Sequence, residues 1–429
     1  MKMQKIKLGD YIDLLTDYHS GGSYKVLREK TKILQEPNYA VYVRTINFEN
    51  DDFQTDLVYC DKESYDFLSY SHVAENDILM NKIANPGSVY IMPKVDFRAT
   101  CGMNLFLIRL KNINQRYMFY MMKFHEAYIK GMAHGTTTKT ITKDEVRGLI
   151  FNVHENIDDQ NKVEHILSSL DDKIALNKKM NQKLEAMAKR LYDYWFVQFD
   201  FPDKNGRPYK TTGGPMTYNT TLKREIPTGW EVSLVSDVIK PIDRGISYTS
   251  EEIKDSSGIP MINLACFDKK GNYRTDELKF YSGEYDESNK VYPLDILIAC
   301  TDLTQKADII GTPIFLSAEA PFYVFSTDLA KITLKNEFHK YFLYYYLKNP
   351  TFHRYIKPFA SGTTVKHLNV KGVENYPIFI PDEKVVKQFT ETVRPMVIAI
   401  NERINEINRL TALRDKLLPL LMNGQVVVG

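Results

Sequence analysis

At 429 residues, with 43% hydrophobic and 26% charged side chains, the chain is too long for one ordinary core and has the composition of a soluble globular protein of two or three domains. Its 56 Lys and Arg nearly balance 54 Asp and Glu, so a polyanionic partner must be held by local basic patches, not by overall charge. No apolar run approaches the ~20 residues that span a bilayer, MKMQKIKLGD lacks a secretory apolar stretch, and four scattered cysteines without C-x-x-C spacing read as buried residues of a reducing cytoplasm, with no metal or disulfide role.

The first half opens on a turn cluster, Gly21-Gly22-Ser23-Tyr24. Strand-like runs follow at 41–46, 77–80 and 104–110, then an aromatic-rich helical run at 117–129. The loop phrase YIKGMAHGTTTKTI occupies 128–141. Thr142-Lys143-Asp144-Glu145 has the Thr-x-x-Glu form that caps a helical turn, and LIFNV at 149–153 reads as an apolar strand. From 158 to 196 there is neither proline nor glycine, and two columns repeat every seven residues. One is Val163, Leu170, Asn177, Leu184, Leu191; the other is Ile166, Lys173, Met180, Met187, Tyr194. This predicts a helix of about 40 residues, ~60 Å long at ~1.5 Å per residue.

The rest of the chain repeats that order. PDKNGRPYKTTGGPMTYN at 202–219, rich in Pro, Gly and Thr, reads as a linker into a second globule. GISYTS at 245–250 answers GGSYKV at 21–26, while 258–267 and 293–298 answer 39–48 and 75–80. A second aromatic helix is predicted at 341–346. YIKPFASGTTVKHL at 355–368 then matches the earlier phrase at eight of fourteen positions without a gap. Asn369 stands as the equivalent helix cap, and YPIFI at 376–380 as the equivalent strand. From 382 to 422 the two heptad columns return, shifted by 226, as Phe389, Met396, Arg403, Leu410, Leu417 and Thr392, Ala399, Glu406, Leu413, Leu420. A duplication at this spacing means two similar globular domains, because stacked solenoid repeats have periods of ~20–50 residues.

These signals divide the chain into a globular domain over 1–155, a helix over 156–197, a linker over 198–222, a second globular domain over 223–381 and a helix over 382–424. The fold class is α+β. Two helices with one apolar stripe each are expected to pack on each other, and their polar interruptions favour an antiparallel coiled coil. Centred on Asn177 and Arg403, an antiparallel pair sets Lys173 beside Glu406, whereas a parallel pair buries both charges unpaired. Two similar heads related by a pseudo-twofold axis on such a rod suit double-stranded DNA, whose backbone has the same symmetry; unlike heads would read an asymmetric bipartite target.

The residues also resemble a known family, the specificity (S) subunits of type I restriction–modification systems. The resemblance runs through the whole chain. It is carried by LSSLDDKIALNKKMNQKLEAMAKRLYDYWF running into VQFDFPDKNGRPYK, by IPTGWE at 226–231, by LTALRDKLLPLLMNGQV at 410–426, and by the A-x-G-T-T loop of each half. It implies a subunit without chemistry or cofactor of its own. Two target-recognition domains choose the DNA sequence for two methyltransferase (M) subunits, which use S-adenosylmethionine, and for restriction (R) subunits, which use ATP; the helices dock partners and set the spacing. The residues agree: Asn85-Pro86-Gly87-Ser88 and Asn349-Pro350-Thr351-Phe352 lack the second proline of an adenine-methyltransferase turn, and no G-x-x-x-x-G-K-[ST] phosphate loop exists. The competing expectation is a two-headed coiled-coil scaffold for a protein or carbohydrate ligand, which near-neutral charge favours.

Candidate DNA contacts follow from residue type. The doubled loop offers Thr136, Thr137 and Lys139 in one half and Thr363, Thr364 and Lys366 in the other: hydroxyls and ammonium groups for phosphate or base edges beside permissive glycines. The G-x-S-Y segments offer Ser23, Tyr24 and Lys25, and Arg244, Ser247 and Tyr248. Positions where the copies differ are expected to set specificity: Arg44 against Asn263, suited to guanine and adenine, and Asn81-Lys82 against Thr301-Asp302.

Overall fold

The computed structural model describes residues 2–135, 138–254, 257–268, 272–317 and 319–426. Its chain divides into one unit of Met1–Lys173 with Leu410–Gly429 and a second of Ile174–Arg409.

In the first unit, the run expected at 77–80 forms strand Ile78–Asn81, buried at every residue, as a strand covered on both faces must be. It lies in an antiparallel sheet ordered Ile12–Asp17, Leu105–Leu110, Ile78–Asn81, Val89–Ile91. A second sheet is ordered Val58–Cys60, Ala40–Val43, Ala99–Cys101, His72–Val73, and its central pair is parallel, with Val41 opposite Ala99. Met3–Lys7 pairs with Ile150–His154. The strand expected at 41–46 stops at Val43, because the Asn47 side chain accepts the Arg44 N–H at 2.8 Å and starts a helical turn, Thr45–Glu49. The helix expected at 117–129 breaks at His125 into Gln115–Phe124 and Glu126–Gly131.

The second unit repeats this plan and adds to it an edge strand and a small third sheet. Its sheets are ordered Asp243–Arg244, Leu329–Ile332, Ile296–Ala299, Pro313–Phe315, and Ile253–Lys254, Lys279–Tyr281, Ile259–Ile262, Tyr323–Phe325, Lys290–Val291, where Ile253–Lys254 is the added edge strand; the third sheet is Thr301–Asp302, Lys366–Leu368, Ala360–Ser361. The parallel pair recurs, with Met261 opposite Val324, and Glu231–Leu234 pairs with Pro377–Ile380. The duplication therefore includes topology. Thr142 closes the expected capping box with Glu145 at the start of Lys143–Gly148. Asn369 does not cap in the same way: the later turn, Lys371–Glu374, begins after Val370, and Asn369 Oδ1 accepts the Lys371 N–H at 3.1 Å.

The central helix, Ile157–Tyr192, continues as a π-helical turn, Asp193–Val197, and the distal helix, Glu383–Met422, runs through Pro395 and Pro419. In the first unit, Val163 and Leu167 from the start of the central helix join Leu421 and Met422 from the end of the distal helix in one core with Tyr117 and Phe151. In the second unit the matching positions, Phe389 and Val393 with Trp195 and Phe196, join Phe342 and Phe379. Each core thus receives one helix start and one helix end, so the helices run antiparallel. In the second unit Asn177, 2% exposed, donates to Glu406 Oε2 at 2.8 Å, and Asn181 donates to the Ile400 carbonyl at 3.4 Å. Arg403 turns back to its own helix, donating to the Ala399 carbonyl at 2.9 Å. In the first unit Arg414 donates to Asp171 at 2.9 Å.

The stretch 198–222 is packed, not free. Phe201, 5% exposed, stacks on Tyr209 at 4.6 Å and on Trp230 at 5.2 Å, and Trp230 stacks on Phe379 at 5.4 Å. Asp200 accepts the Thr211 N–H and hydroxyl at 2.8 and 2.7 Å, and a hairpin, Met216–Asn219 with Arg224–Pro227, completes the segment. Proline, glycine and threonine here make tight turns around an aromatic ladder. All four cysteines are free and buried.

Candidate nucleic-acid interface

The described residues flanking the doubled Gly-Thr-Thr take the same form in both units. Gly135 has φ +121° and Gly362 has φ +122°, in the left-handed half of the map that side chains avoid. A Cβ on Gly135 would sit 2.4 Å from the Thr138 carbonyl oxygen, and one on Gly362 would sit 2.0 Å from that of Val365. His134 and Thr140 exchange backbone hydrogen bonds of 3.0 and 2.8 Å across the first turn; Ala360–Ser361 pairs with Lys366–Leu368 across the second. Lys139 is exposed; its carbonyl accepts the Ala84 N–H at 3.2 Å, and its ammonium, among the described residues, has no partner. Thr363 and Thr364 are exposed, and Lys366 donates to the Gly362 carbonyl at 2.6 Å, bracing its own turn. Thr136 and Thr137 lie outside the described residues.

Beneath the first turn is a buried ionic knot. Lys82, 7% exposed, pairs with the Asp17 carboxylate; Lys143 lies 3.0 Å from the same carboxylate and donates to Ser20 at 2.7 Å. Burial by itself would raise the Asp17 carboxyl, but hydrogen bonds from Lys82, Ser20 and Lys143 outweigh it and hold the group down at about 2. Burial also lowers His19, whose Nδ1 is 3.1 Å from the Lys82 ammonium. The knot ties the segment leading to Ser23, the hairpin after Asn81 and the turn before Lys143 into one surface. Lys82 is therefore a strut and not the surface contact its type suggests.

The strand register corrects which residues face each other across the duplication. Lys82 N–H donates to Asn104 O at 2.9 Å and accepts through its carbonyl from Ile141 at 3.1 Å; Cys300 does the same with Asp328 and Leu368 at 2.7 and 2.8 Å. Lys82 thus corresponds to Cys300, and Asp17, opposite Phe106, corresponds to Arg244, opposite Ala330. Burial pushes the Cys300 thiol up to about 12. An ion pair in one unit is replaced in the other by a neutral thiol and an exposed Arg244, which donates to the Thr327 carbonyl at 2.7 Å.

Two further expectations fail through burial. Asn263, 4% exposed, uses both ends of its amide internally, donating to the Glu277 carbonyl at 2.9 Å and accepting from Ala265 N–H at 2.8 Å. Thr301 is 3% exposed, its hydroxyl 3.4 Å from His367 Nδ1. Arg44 is half-buried and donates to the Asp56 carbonyl at 2.6 Å. Ser23 instead caps a helix, Tyr24–Lys30, accepting the Val26 N–H at 3.4 Å; Tyr24 is 73% exposed and Lys25 is exposed. In the second unit the matching segment is extended; Ser247 is exposed, and Tyr248 accepts from Lys279 at 3.0 Å. Arg28 and Lys30 were missed: they share the exposed Tyr24 helix with Lys25, and among the described residues none of the three cations has a partner. Composition hides this, since most neighbouring cations are paired, as Lys32 is with Asp61 and Arg109 with Asp77. Among the described residues no cluster of three or more His, Cys, Asp or Glu could hold a metal ion, and no helix is long and apolar enough to cross a membrane.

A sequence model of the family described as "Type I restriction modification DNA specificity domain" matches residues 3–186 and again residues 227–409. The chain belongs to that family. Each of its two specificity domains contains one of the GTT segments and one pair of the sheets described above. Among its relatives is the specificity subunit of type I restriction enzyme MjaIX of Methanocaldococcus jannaschii, 26% identical over 332 residues, 75% of this chain and 71% of that one. The specificity subunit of type I restriction enzyme HindI of Haemophilus influenzae is 23% identical over 410 residues, 82% of this chain and 87% of that one. In fold, the two-domain chain is similar to the S subunit of a type I restriction–modification system from M. genitalium, with a TM-score of 0.60 and 16% identity over 98% of this chain and 96% of that one.

Proposed function

We propose that this chain is the DNA-recognition subunit of a type I restriction–modification complex. Each specificity domain reads one half of a bipartite, asymmetric double-stranded target, and the subunit itself performs no chemistry. Two methyltransferase subunits transfer the methyl group, restriction subunits join the complete assembly, and the two long helices seat these partners. The observation that carries the reading is the duplication itself: two copies of one specificity domain, alike in the order of the strands they share, differ in the residues around their GTT turns. Shared turns suit a shared task, gripping phosphate, and the differing residues suit two different half-sites. The two-headed scaffold for a protein or carbohydrate loses its ground once the family is known, because near-neutral net charge was its main support.

The test is co-expression with the cognate methyltransferase subunits followed by genome-wide mapping of N6-methyladenine. One bipartite motif with two unlike halves is expected. A continuous motif, or none, refutes the reading.

A further inference from the structure

The duplication also works as an internal control, and one hairpin departs from it. In the first unit, Asn81 and Gly87 bracket five residues, 82–86; in the second, Ala299 and Gly311 bracket eleven, 300–310. Both hairpins close with the same two backbone bonds: Asn81 N–H to Ser88 O and Gly87 N–H to Asn81 O, both 2.8 Å, against Ala299 N–H to Thr312 O at 3.2 Å and Gly311 N–H to Ala299 O at 2.8 Å. The additional length is a built loop. Asp302, 2% exposed, accepts from Thr304 N–H at 2.7 Å, Thr304 Oγ1 at 2.8 Å and Ile309 N–H at 3.0 Å. Ala307 is buried with φ +52°, a conformation that alanine holds only when its surroundings impose it. Thr301–Asp302 pairs with Lys366 and His367, which sets the loop directly beside the GTT turn.

This frame holds outward Leu303, 69% exposed, with Thr304, Gln305 and Lys306, all exposed. Among the described residues neither Gln305 nor Lys306 has a hydrogen-bond or ion-pair partner. A single exposed leucine needs no explanation. A leucine, a carboxamide and a cation displayed together by a loop stiffened from below, next to the turn that both units share, form a recognition set.

We propose that residues 303–306 are the base-reading element of the second specificity domain and that they read A·T pairs in the major groove. The proposal rests on the DNA-recognition reading above. The Gln305 carboxamide matches the donor–acceptor pair of adenine N6 and N7, Leu303 matches the thymine methyl group, and the Lys306 ammonium reaches a flanking phosphate.

The test uses the full chain assembled with its methyltransferase subunits and compares methylation maps of wild type, Leu303→Ala, Gln305→Ala and Lys306→Ala. These side chains are exposed, so the substitutions leave the fold in place. Leu303→Ala and Gln305→Ala are expected to relax A·T positions in one half-site by roughly 10- to 100-fold in discrimination, with the other half unchanged. Lys306→Ala is expected to weaken methylation evenly across sequences. Motifs unchanged letter for letter in both the Leu303 and Gln305 variants, or equal loss on all sequences, would overturn the assignment. A wild-type complex without a bipartite motif would bring down the recognition reading itself, and this assignment with it.

Discussion

Replacing Lys82 by methionine (Lys82→Met) keeps the aliphatic stem and removes the ammonium that pairs with Asp17. The Asp17 carboxyl titrates at about 2 in the folded chain against an ordinary 3.8, which corresponds to about 2 kcal/mol of native stability at neutral pH. Lys82 supplies the strongest of the three hydrogen bonds responsible, with Ser20 and Lys143 behind it. Its loss also leaves a carboxylate, 6% exposed, partly unpaired, so we expect a destabilisation of about 2 kcal/mol. Urea denaturation of the full chain, followed by circular dichroism, measures it. The folded pKa is depressed, so the contribution is complete above the unfolded value and is lost as pH falls through the folded one. The gap between wild type and variant should therefore be constant above about pH 5, narrow below about pH 4 and close near about pH 2. The salt dependence of DNA binding by the assembled complex should not change, because Lys82 is buried. Equal stability at pH 7 combined with a flatter salt slope would show Lys82 to be a phosphate contact and refute the strut.

Lys139→Ala and Lys366→Ala should act in the opposite sense, each flattening the slope of log K against log salt by about 0.9 and weakening all sequences alike; titrations at several salt concentrations decide it. Gly362→Ala forces a side chain into φ +122° with its Cβ 2.0 Å from the Val365 carbonyl oxygen. It should distort the second turn at a cost on the order of 1–3 kcal/mol and reduce DNA affinity, read by the same titrations at fixed salt. Asn177→Ala removes a buried donor to Glu406 and should cost about 1–2 kcal/mol in urea denaturation, with the secondary structure of the helices retained.

Much of the architecture was legible in the sequence, because the features that encode it are local or periodic. The heptad columns marked both long helices, and an ungapped match of fourteen residues fixed the duplication. Thr142 to Glu145 announced its own capping box. The site was less legible, because burial of a polar side chain depends on partners far along the chain. Asp17 lies 65 residues from Lys82, and the carbonyl that occupies Asn263 belongs to Glu277. Residue type alone makes both look like ligands for DNA. Local spacing also misplaces the correspondence between copies: it matches Lys82 with Asp302, whereas the backbone bonds match it with Cys300. Residues 198–222 misled in the reverse direction, since proline and glycine mark tight turns as readily as loose chain.

The aromatic ladder Tyr209–Phe201–Trp230–Phe379 bears on how such chains are spliced. Two of its rings precede residue 223 and two follow it. A chimera joined there, donor sequence beginning where the second globule first looks complete, inherits Trp230 and Phe379 but stacks them on a stranger's Phe201 and Tyr209. A joint within the helical stretch before Ala188 carries all four rings across together, along with Trp195 and Phe196, which pack in the same core. In this protein the second packing unit therefore begins inside a helix and includes the stretch whose composition suggests a tether.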